Sequence, residues 1–491
     1  MDTIIMSSRP KAGARLRKWL SLPCLGLLCS GVPTALSAAE WTIVPRVNID
    51  QVYSDNVRLQ SEAAAQAEFV TTVEPGIAVR GNGRRLNLAF DYNLETLVYK
   101  RDADSNAINH QMQLSGDAEL WKQIAFLEFR ATRSQENSNT LSGAGTDNIS
   151  VSNNRTDVQT YSLTPIFRHR LGNYIDVESR TTINQVSNET GSTRSTSTSF
   201  GSTATLSSGD YFARLPWSIS VTDRRVTNSS GTKNTFKKLQ SEARYNFSRK
   251  YGVLARLASE RNEFSSNQPE TGGASWDLGF TWTPSPRTEI ELGGGRRFFG
   301  NSVFLDLSHR TRRMLFTASF SEDITTSRDE QLERILVPLV DAAGIAVFDP
   351  ISGAQISVPI DNLTSSEEVI VQSRFDGSVT YEGRRTTLGL TGFSSFRTGQ
   401  LNGAESEVIG SSLTLNHKLN RLISMDGRLG FQSTSSGTQE DQRFNWSVSM
   451  RGTLGRSLSA SVGYDYVTLK SSVAANEFDE NRIRIGVVAS F

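Results

Sequence analysis

The residues of this chain that could do chemistry are charged side chains that recur at even spacing within alternating segments. Period two places such side chains on one face of a β-strand. With the amides and hydroxyls of the same parity, they would form a hydrophilic surface of mixed sign, suited to hydrated neutral or weakly charged solutes such as sugars. We predict that this lining includes Asp91, Glu95, Asp117, Glu119, Arg180, Glu242, Arg244, Arg374, Asp376 and Arg451.

Signals for catalysis or for a bound cofactor are weak. The chain has four histidines, far apart and without a motif around any of them: His110, His169, His309 and His417. Residues 102–106 begin like a calcium loop, but Ala107 and Gln113 stand where that loop needs a glycine and a bidentate glutamate. We therefore expect no enzyme, no cofactor and no metal site, although a serine–histidine pair assembled only by folding would escape this reading.

The elements that must position the charged residues are β-strands. Trp276, Leu278, Phe280 and Trp282 alternate with polar residues before the turn at Pro284, and period-two alternation indicates a half-buried strand. The same texture repeats along the chain. Short turns recur near residues 82, 122, 172, 208, 250, 285, 311, 383, 421 and 456, and we expect them to alternate strictly with long Ser/Thr/Asn/Gly loops.

This alternation predicts an all-β chain, a single transmembrane antiparallel up-and-down β-barrel. Membrane barrels combine short periplasmic turns, long external loops and apolar-out, polar-in strands. Ten short turns plus the two chain ends give about 22 strands, within a range of roughly 16 to 22. Lipid tolerates only strands that close on themselves, because every backbone polar group must be satisfied. A soluble β-sandwich or solenoid is the disfavoured alternative.

The N-terminal segment predicts export. Basic residues precede an apolar run, 19–28, and small residues follow at 37–39, which is the pattern of a cleaved secretory signal peptide. We assign residues 1–39 to that signal and 40–491 to the barrel, placed in the cell outer membrane. Both cysteines fall within the signal, and the formal net charge of +1 excludes a strongly basic nucleic-acid binder.

The last strand carries the expected contact with lipid and with the assembly machinery. Val487, Ala489 and Phe491 share one face, and the chain stops at Phe491. We expect this strand to pair with the first strand and to present its apolar face to outer-membrane lipid. Its ending resembles the C-terminal signature that the barrel-assembly machinery reads in outer-membrane proteins.

The longest predicted connection is residues 321–368. It contains an apolar stretch within 335–348 that must be buried somewhere. Such a loop could fold over or into the opening as a constriction or lid, or it could pack as a hairpin on its neighbours. The short turns lean basic, which would suit lipid phosphates or a periplasmic partner.

Three stretches near the N-terminus carry a family resemblance. They are VYSDNVRL (52–59), EFVTTVEPGIAV (68–79) and LNLAFDYNLETLVY (86–99). They resemble the start of outer-membrane β-barrel proteins associated with exopolysaccharide and PEP-CTERM protein-sorting loci, which are similar to β-barrel porins of polysaccharide clusters. The resemblance implies a role in export or assembly of an extracellular polymer, with exopolysaccharide and periplasmic export components as partners. It carries over no catalytic residue; Asp55 and Asn56 match its Asp-Asn pair.

Two functions from different classes follow. The first is a conduit for an exopolysaccharide through a polar lumen gated by external loops. The second is a sealed structural or surface-interaction barrel that acts through its loops, and a general diffusion porin lies between the two. We expect neither a siderophore-type receptor nor an autotransporter, because neither a plug nor a passenger segment is evident in the sequence.

Overall fold

The computed structural model describes residues 40–138, 145, 147–152, 154–191, 193–334 and 367–491. The predicted signal peptide, 1–39, lies outside them. The described chain contains 22 strands, which confirms the predicted number, and one α-helix, α1 (Ser327–Arg334). No helix in the described ranges is long and apolar enough to cross a membrane.

The strands follow one another in antiparallel order. Their bounds are β1 (Glu40–Ser54), β2 (Glu68–Asn82), β3 (Leu86–Tyr99), β4 (Ala107–Trp121), β5 (Ala125–Asn137), β6 (Arg155–Leu171), β7 (Ile175–Thr190), β8 (Thr193–Ser208), β9 (Trp217–Asn228), β10 (Lys233–Asn246), β11 (Tyr251–Glu263), β12 (Gly273–Ser285), β13 (Thr288–Arg297), β14 (Gly300–Arg310), β15 (Met314–Thr326), β16 (Val369–Glu382), β17 (Thr386–Gly399), β18 (Glu405–Lys418), β19 (Ile423–Ser436), β20 (Gln439–Thr453), β21 (Leu458–Ser471) and β22 (Phe478–Ser490).

The first and last strands close the sheet. β1 pairs with β2 along its whole length and with β22 from Arg46 opposite Ser490 to Ser54 opposite Arg482. Each strand therefore has a neighbour on both sides, and the fold is a closed antiparallel barrel.

The two faces of the wall differ in chemistry. Apolar side chains such as Leu278 (61% exposed) and Ile485 (60% exposed) point outward, while Asp91 and Glu95 are buried on the inner face. Because successive residues of a strand point to opposite faces, one parity gives an apolar belt and the other a polar lining. This is the arrangement of a barrel whose outer surface contacts lipid.

We call the end of the barrel that carries residues 83–85 the turn end and the other end the loop end. A connection at the turn end is present at each of the ten predicted positions, and nine of the ten are short. The expected strict alternation of short turns and long loops was wrong. At the loop end, a connection of only two residues, Phe298 and Phe299, joins β13 to β14, whereas at the turn end the longer segment 209–216 joins β8 to β9. Ser- and Thr-rich stretches that look like loops, β8 among them, instead continue as paired strands.

The predicted start of the long loop 321–368 lies too early in the chain. β15 continues to Thr326 and pairs with β16, with Asp323 opposite Gln372, because residues 321–326 keep the period of the strand. Helix α1 follows directly. The apolar stretch within 335–348, on which the lid prediction rested, lies outside the described residues.

The ladder between β14 and β15 is the shortest between any two neighbouring strands of the described wall. It holds six residue pairs, from Leu305 opposite Phe320 to Arg310 opposite Leu315. Nearer the loop end, side chains replace backbone pairing. The carboxylate of Glu322 accepts the Val303 N–H at 3.1 Å, and Arg297 donates to the Glu322 carbonyl at 3.0 Å.

Candidate functional site

Two segments from the loop end fold onto the inner face of the wall, and they form the candidate functional site. The first is the inner loop, residues 147–151, which lies between β5 and β6. Its Asp147 carboxylate contacts two arginines of β22, Arg482 at 2.6 Å and Arg484 at 3.0 Å. The inner loop is therefore tied to the strand that closes the barrel.

The arginines of this contact belong to a buried polar network. Arg482 is 1% exposed and also pairs with Glu480 at 2.6 Å. Glu480 accepts the hydroxyl of Ser54 at 2.6 Å, and Arg482 donates to the Ser150 hydroxyl. Both sides of the β1–β22 junction and the inner loop thus share one set of hydrogen bonds, and a buried charge of this kind is tolerated only when it is paired.

Asp147 carries a negative charge at neutral pH. Burial by itself would raise the pKa of this carboxyl, but Arg482, Arg484 and Arg155 together hold the pKa well below its usual range. Opposite charges within a few ångströms favour the ionised form of a carboxyl group. The contact between the inner loop and β22 is therefore an ion pair throughout the physiological range.

An apolar anchor adds to the ion pair. Ile149 is buried against an inward-facing group made of Val52, Val57, Val70, Leu97 and Tyr99. The Tyr99 hydroxyl donates to the Ile149 carbonyl at 2.7 Å. Fully burying an isoleucine side chain contributes about 1.5 to 3 kcal/mol, so this contact holds the inner loop at the wall together with Asp147.

Helix α1 is the second inward segment, and it joins two separate parts of the wall. Asp329 pairs with Arg224 of β9 at 2.6 Å, while Glu330 pairs with Arg397 of β17 at 2.9 Å. Gln372 of β16 donates to Glu330 at 2.8 Å. Although β9 and β16 are not neighbours in the strand order, Val226 of β9 and Val369 of β16 lie in one apolar cluster. The start of α1 therefore lies where two parts of the wall approach each other at the loop end.

The surroundings of α1 mix charge with apolar contact. The Arg224 guanidinium lies 4.4 Å from the centre of the Phe236 ring, a cation–π geometry. Arg328 is buried beside it and donates to the Ser197 carbonyl at 3.4 Å. Burial, opposed by Asp329 and helped by Arg224, lowers the pKa of Arg328 to about 10.

A third contact joins two connections at the loop end. The Asn267 N–H donates to the Gln400 carbonyl at 3.0 Å, and the Ser266 hydroxyl donates to the same oxygen at 3.1 Å. The connection after β11 therefore reaches the connection after β17. With the inner loop and α1, this bridge narrows the loop end of the barrel.

Among the predicted lining residues, Glu95 bonds to the inner loop and Asp91 is paired within the wall. Glu95 accepts hydrogen bonds from Asn109 at 2.9 Å and from Asn148 of the inner loop at 2.5 Å. Asp91 pairs with Arg80 at 2.5 Å and with Arg46 at 3.4 Å. Glu95 therefore helps to hold the inner loop, whereas Asp91 joins β3 to β1 and β2.

Four predicted lining residues lie on the wall of β4 to β13. Arg180 pairs with Glu128 at 3.2 Å, and Asp117 accepts from Asn87 at 2.9 Å. Four charged side chains form a continuous row farther along the wall. Glu242 pairs with Arg256 at 2.9 Å, and Arg256 pairs with Glu291 at 2.5 Å. Glu291 in turn pairs with Arg244 at 2.5 Å.

The remaining predicted residues have local partners. Arg374 pairs with Asp376 on its own strand at 2.6 Å, and Arg451 lies 3.8 Å from Asp426. Glu119 accepts the backbone N–H of Gln123 at 2.5 Å, so it caps a connection at the turn end. The lining role of all ten residues stays a prediction; what the structure adds is that each has a hydrogen-bonding or ionic partner.

The residues that sequence reasoning missed are the loop carboxylates Asp147, Asp329 and Glu330. Asp147 lies in a Gly/Ser/Asn-rich stretch without any pattern, and the two others follow a strand as an apparently solvated polar run. The sequence does carry a signal for the arginines that pair with Asp147. Arg482 and Arg484 stand on the polar parity of the last strand, where two inward arginines require anions.

The histidines do not assemble. They occupy the outward parity of their strands, and three bond to hydroxyls of the preceding strand: His110 with Tyr92 at 2.8 Å, His309 with Thr288 at 2.7 Å and His417 with Thr386 at 2.8 Å. Within the described ranges, no group of histidine, cysteine and acidic residues could hold a metal ion.

Comparison with known proteins agrees with this geometry. Residues 375–491 match the family described as "Putative beta-barrel porin 2". Over these C-terminal residues the closed 22-strand β-barrel is similar to that porin family. The match covers β17 to β22 and most of β16, so it includes the β22 arginines that hold the inner loop.

The barrel fold is shared, at low identity, with a solved iron transporter. The FrpB iron transporter from Neisseria meningitidis aligns with a TM-score of 0.50 and 9% identity, over 91% of this chain and 82% of that chain. The ferric enterobactin receptor PfeA from Pseudomonas aeruginosa aligns with a TM-score of 0.48 and 10% identity, over 91% and 81%. No curated protein sequence matches the chain.

Proposed function

We propose that this protein is an outer-membrane channel for hydrated polar solutes, and that its solute is an exopolysaccharide on its way out of the cell. The observation that carries the proposal is the way the loop end is narrowed. Asp147, Asp329 and Glu330 hold the inward segments through ion pairs to wall arginines. Ion pairs beside a water-filled lumen can exchange partners, so such a constriction can open.

The lining supports passage of a sugar polymer. The inner face carries amides, hydroxyls and charges of both signs, as in the ladder of Arg244, Glu291, Arg256 and Glu242. A single-sign ring would favour small ions, whereas paired charges offer hydrogen bonds to many hydroxyl groups without trapping one charged solute. The polymer itself is proposed from the resemblance of the N-terminal stretches.

The remaining parts of the proposal concern export and assembly. Residues 1–39 direct the chain through the inner membrane, and the C-terminal strand with Phe491, which is 75% exposed, is read by the barrel-assembly machinery. Periplasmic export components deliver the polymer to the turn end. The basic residues of the turns suit such a partner or the phosphates of the inner leaflet.

The test is conductance of the purified protein in a planar bilayer, for the wild type and for the double variant Asp147→Asn with Asp329→Asn. The double variant removes one anion from each inward segment, so we expect its conductance to exceed that of the wild type severalfold. Dextran added on the turn side should interrupt the current. The variant Asp102→Asn is the matched control, because Asp102 pairs with Arg58 in an external loop.

A sealed structural barrel is the second candidate, and a specific observation favours it. Ile149 is buried in an apolar group and Asn267 bridges the opening to Gln400, contacts that resemble a permanent seal. Silence of both wild type and double variant, with correct folding, would establish this second candidate. Conductance without any interruption by dextran would instead indicate a general diffusion porin.

A further inference from the structure

Both inward segments use the same chemistry. In the inner loop, a carboxylate of the chain occupies a pair of wall arginines, Asp147 on Arg482 and Arg484. In α1, Asp329 occupies Arg224. Carboxylate–guanidinium pairs are strong and geometrically specific, and each of these pairs joins a loop segment to the rigid wall at the place where a solute would pass.

The two β22 arginines have more hydrogen-bond donors than their present partners accept. Without Asp147, Arg482 would keep Glu480 at 2.6 Å, but Arg484 would be left with Asp465 at 3.8 Å. Within the described chain, the Nε atoms of Arg482 and Arg484 are buried and make no hydrogen bond. A guanidinium has five N–H donors, so these two donors remain available to a ligand oxygen.

We propose that the Arg482–Arg484 pair is a binding site for the carboxylate groups of an acidic polysaccharide, and that Asp147 is a built-in competitor for this site. A uronate carboxylate has the same two oxygens as the aspartate that now lies there. When it displaces Asp147, the inner loop is released from β22 and the loop end widens. This inference rests on the proposed channel function and adds the class of its solute.

The contact between Asp329 of α1 and Arg224 of the wall has the same chemistry as the contact of Asp147 with the β22 arginines. Arg224 lies on the ring of Phe236, so the guanidinium keeps its position on the wall when the helix withdraws and takes Asp329 with it. A flat ring beside an arginine is a surface on which a sugar bearing a carboxylate can lie. One acidic polymer chain could therefore engage both walls, and it would release both segments through the same exchange.

The deciding experiment measures binding, separately from conductance. Calorimetric titration of the purified full chain uses oligogalacturonate, which has one carboxylate per sugar, and dextran as the uncharged control. We expect the wild type to bind oligogalacturonate and not dextran. Asp147→Asn should bind it about tenfold more tightly, because a site that is free only a tenth of the time loses that factor in affinity. Arg484→Gln should lose the binding.

Controls separate this inference from the channel proposal. Asp102→Asn should bind like the wild type, and the heat-dependent gel mobility of each variant reports whether its barrel is folded. Should Asp147→Asn misfold, Asp329→Asn tests the same competition at α1. Unchanged or weaker binding by a folded Asp147→Asn would overturn the competitor role, even where conductance supports the channel. Equal binding of dextran and oligogalacturonate would overturn the carboxylate site alone.

Discussion

Asn481 donates a hydrogen bond to each carboxylate oxygen of Asp55 across the junction of the first and last strands. The Asn481 backbone N–H donates to one oxygen at 2.8 Å and its side-chain amide donates to the other at 2.7 Å. Next to it, the Asn56 amide donates to the Asp479 carbonyl at 2.9 Å. The Asp-Asn pair thus fastens β1 to β22 at the loop end, just beyond their last register pair.

Replacement of Asp55 by alanine should weaken this junction. Hydrogen bonds to a charged group contribute about 1.5 to 3 kcal/mol each, so loss of the two bonds should lower the free energy of unfolding by about 3 to 6 kcal/mol. The measurement is urea unfolding followed by gel mobility. Asp102→Ala, in an exposed loop, should show no measurable change, and equal stability of the Asp55 variant and the wild type would contradict the role of the pair.

Gly295 should not tolerate a side chain. A Cβ at this position would overlap the Trp276 carbonyl oxygen, a backbone atom of the neighbouring strand, whereas a Cβ at Gly452 would meet nothing within 4 Å. Gly295→Ala should therefore destabilise the barrel by about 1 to 3 kcal/mol, as overpacking does, and Gly452→Ala should be neutral. The yield of folded barrel in the membrane measures both, and a reversed order of the two would refute the packing argument.

Arg224 should control the position of α1. Arg224→Gln removes the pairing charge of Asp329, so we expect α1 to leave the wall more often and single-channel conductance to rise. The neighbouring Arg225 points to the opposite face and pairs with Asp223, which makes Arg225→Gln a matched control with unchanged conductance. The difference in conductance between Arg224→Gln and the wild type should be larger at about 0.1 M salt than at about 1 M, because high salt screens the wild-type ion pair.

Mild acid should leave the inner loop in place. The pKa of Asp147 is held below its usual range, so its ion pair is complete above the ordinary carboxyl pKa and is lost only when pH falls through the lowered value. Conductance that depends on this contact should stay constant from pH 7 to about pH 4. Asp147→Asn supplies the pH-independent reference, and opening near pH 5 would show that Asp147 does not hold the loop.

The wall of the barrel could be predicted from the sequence because its signal is local. The alternation at Trp276, Leu278 and Phe280 fixes the outward parity of β12 by itself, and each such strand repeats the signal. The constriction could not be predicted in this way. Asp147 and Arg482 are separated by 335 positions, and nothing periodic links them. Their pairing depends on closure of the whole ring, which brings the loop after β5 to β22.

The six-pair ladder between β14 and β15 has a mechanical consequence. A strand pair resists lateral separation through its backbone hydrogen bonds acting in parallel, and fewer bonds mean a smaller force to part the strands. Tension in the plane of the bilayer would therefore separate β14 from β15 first, starting at the loop end, where the side chains of Glu322 and Arg297 substitute for the ladder. The wall has a preferred line of rupture, beside the strand from which α1 departs.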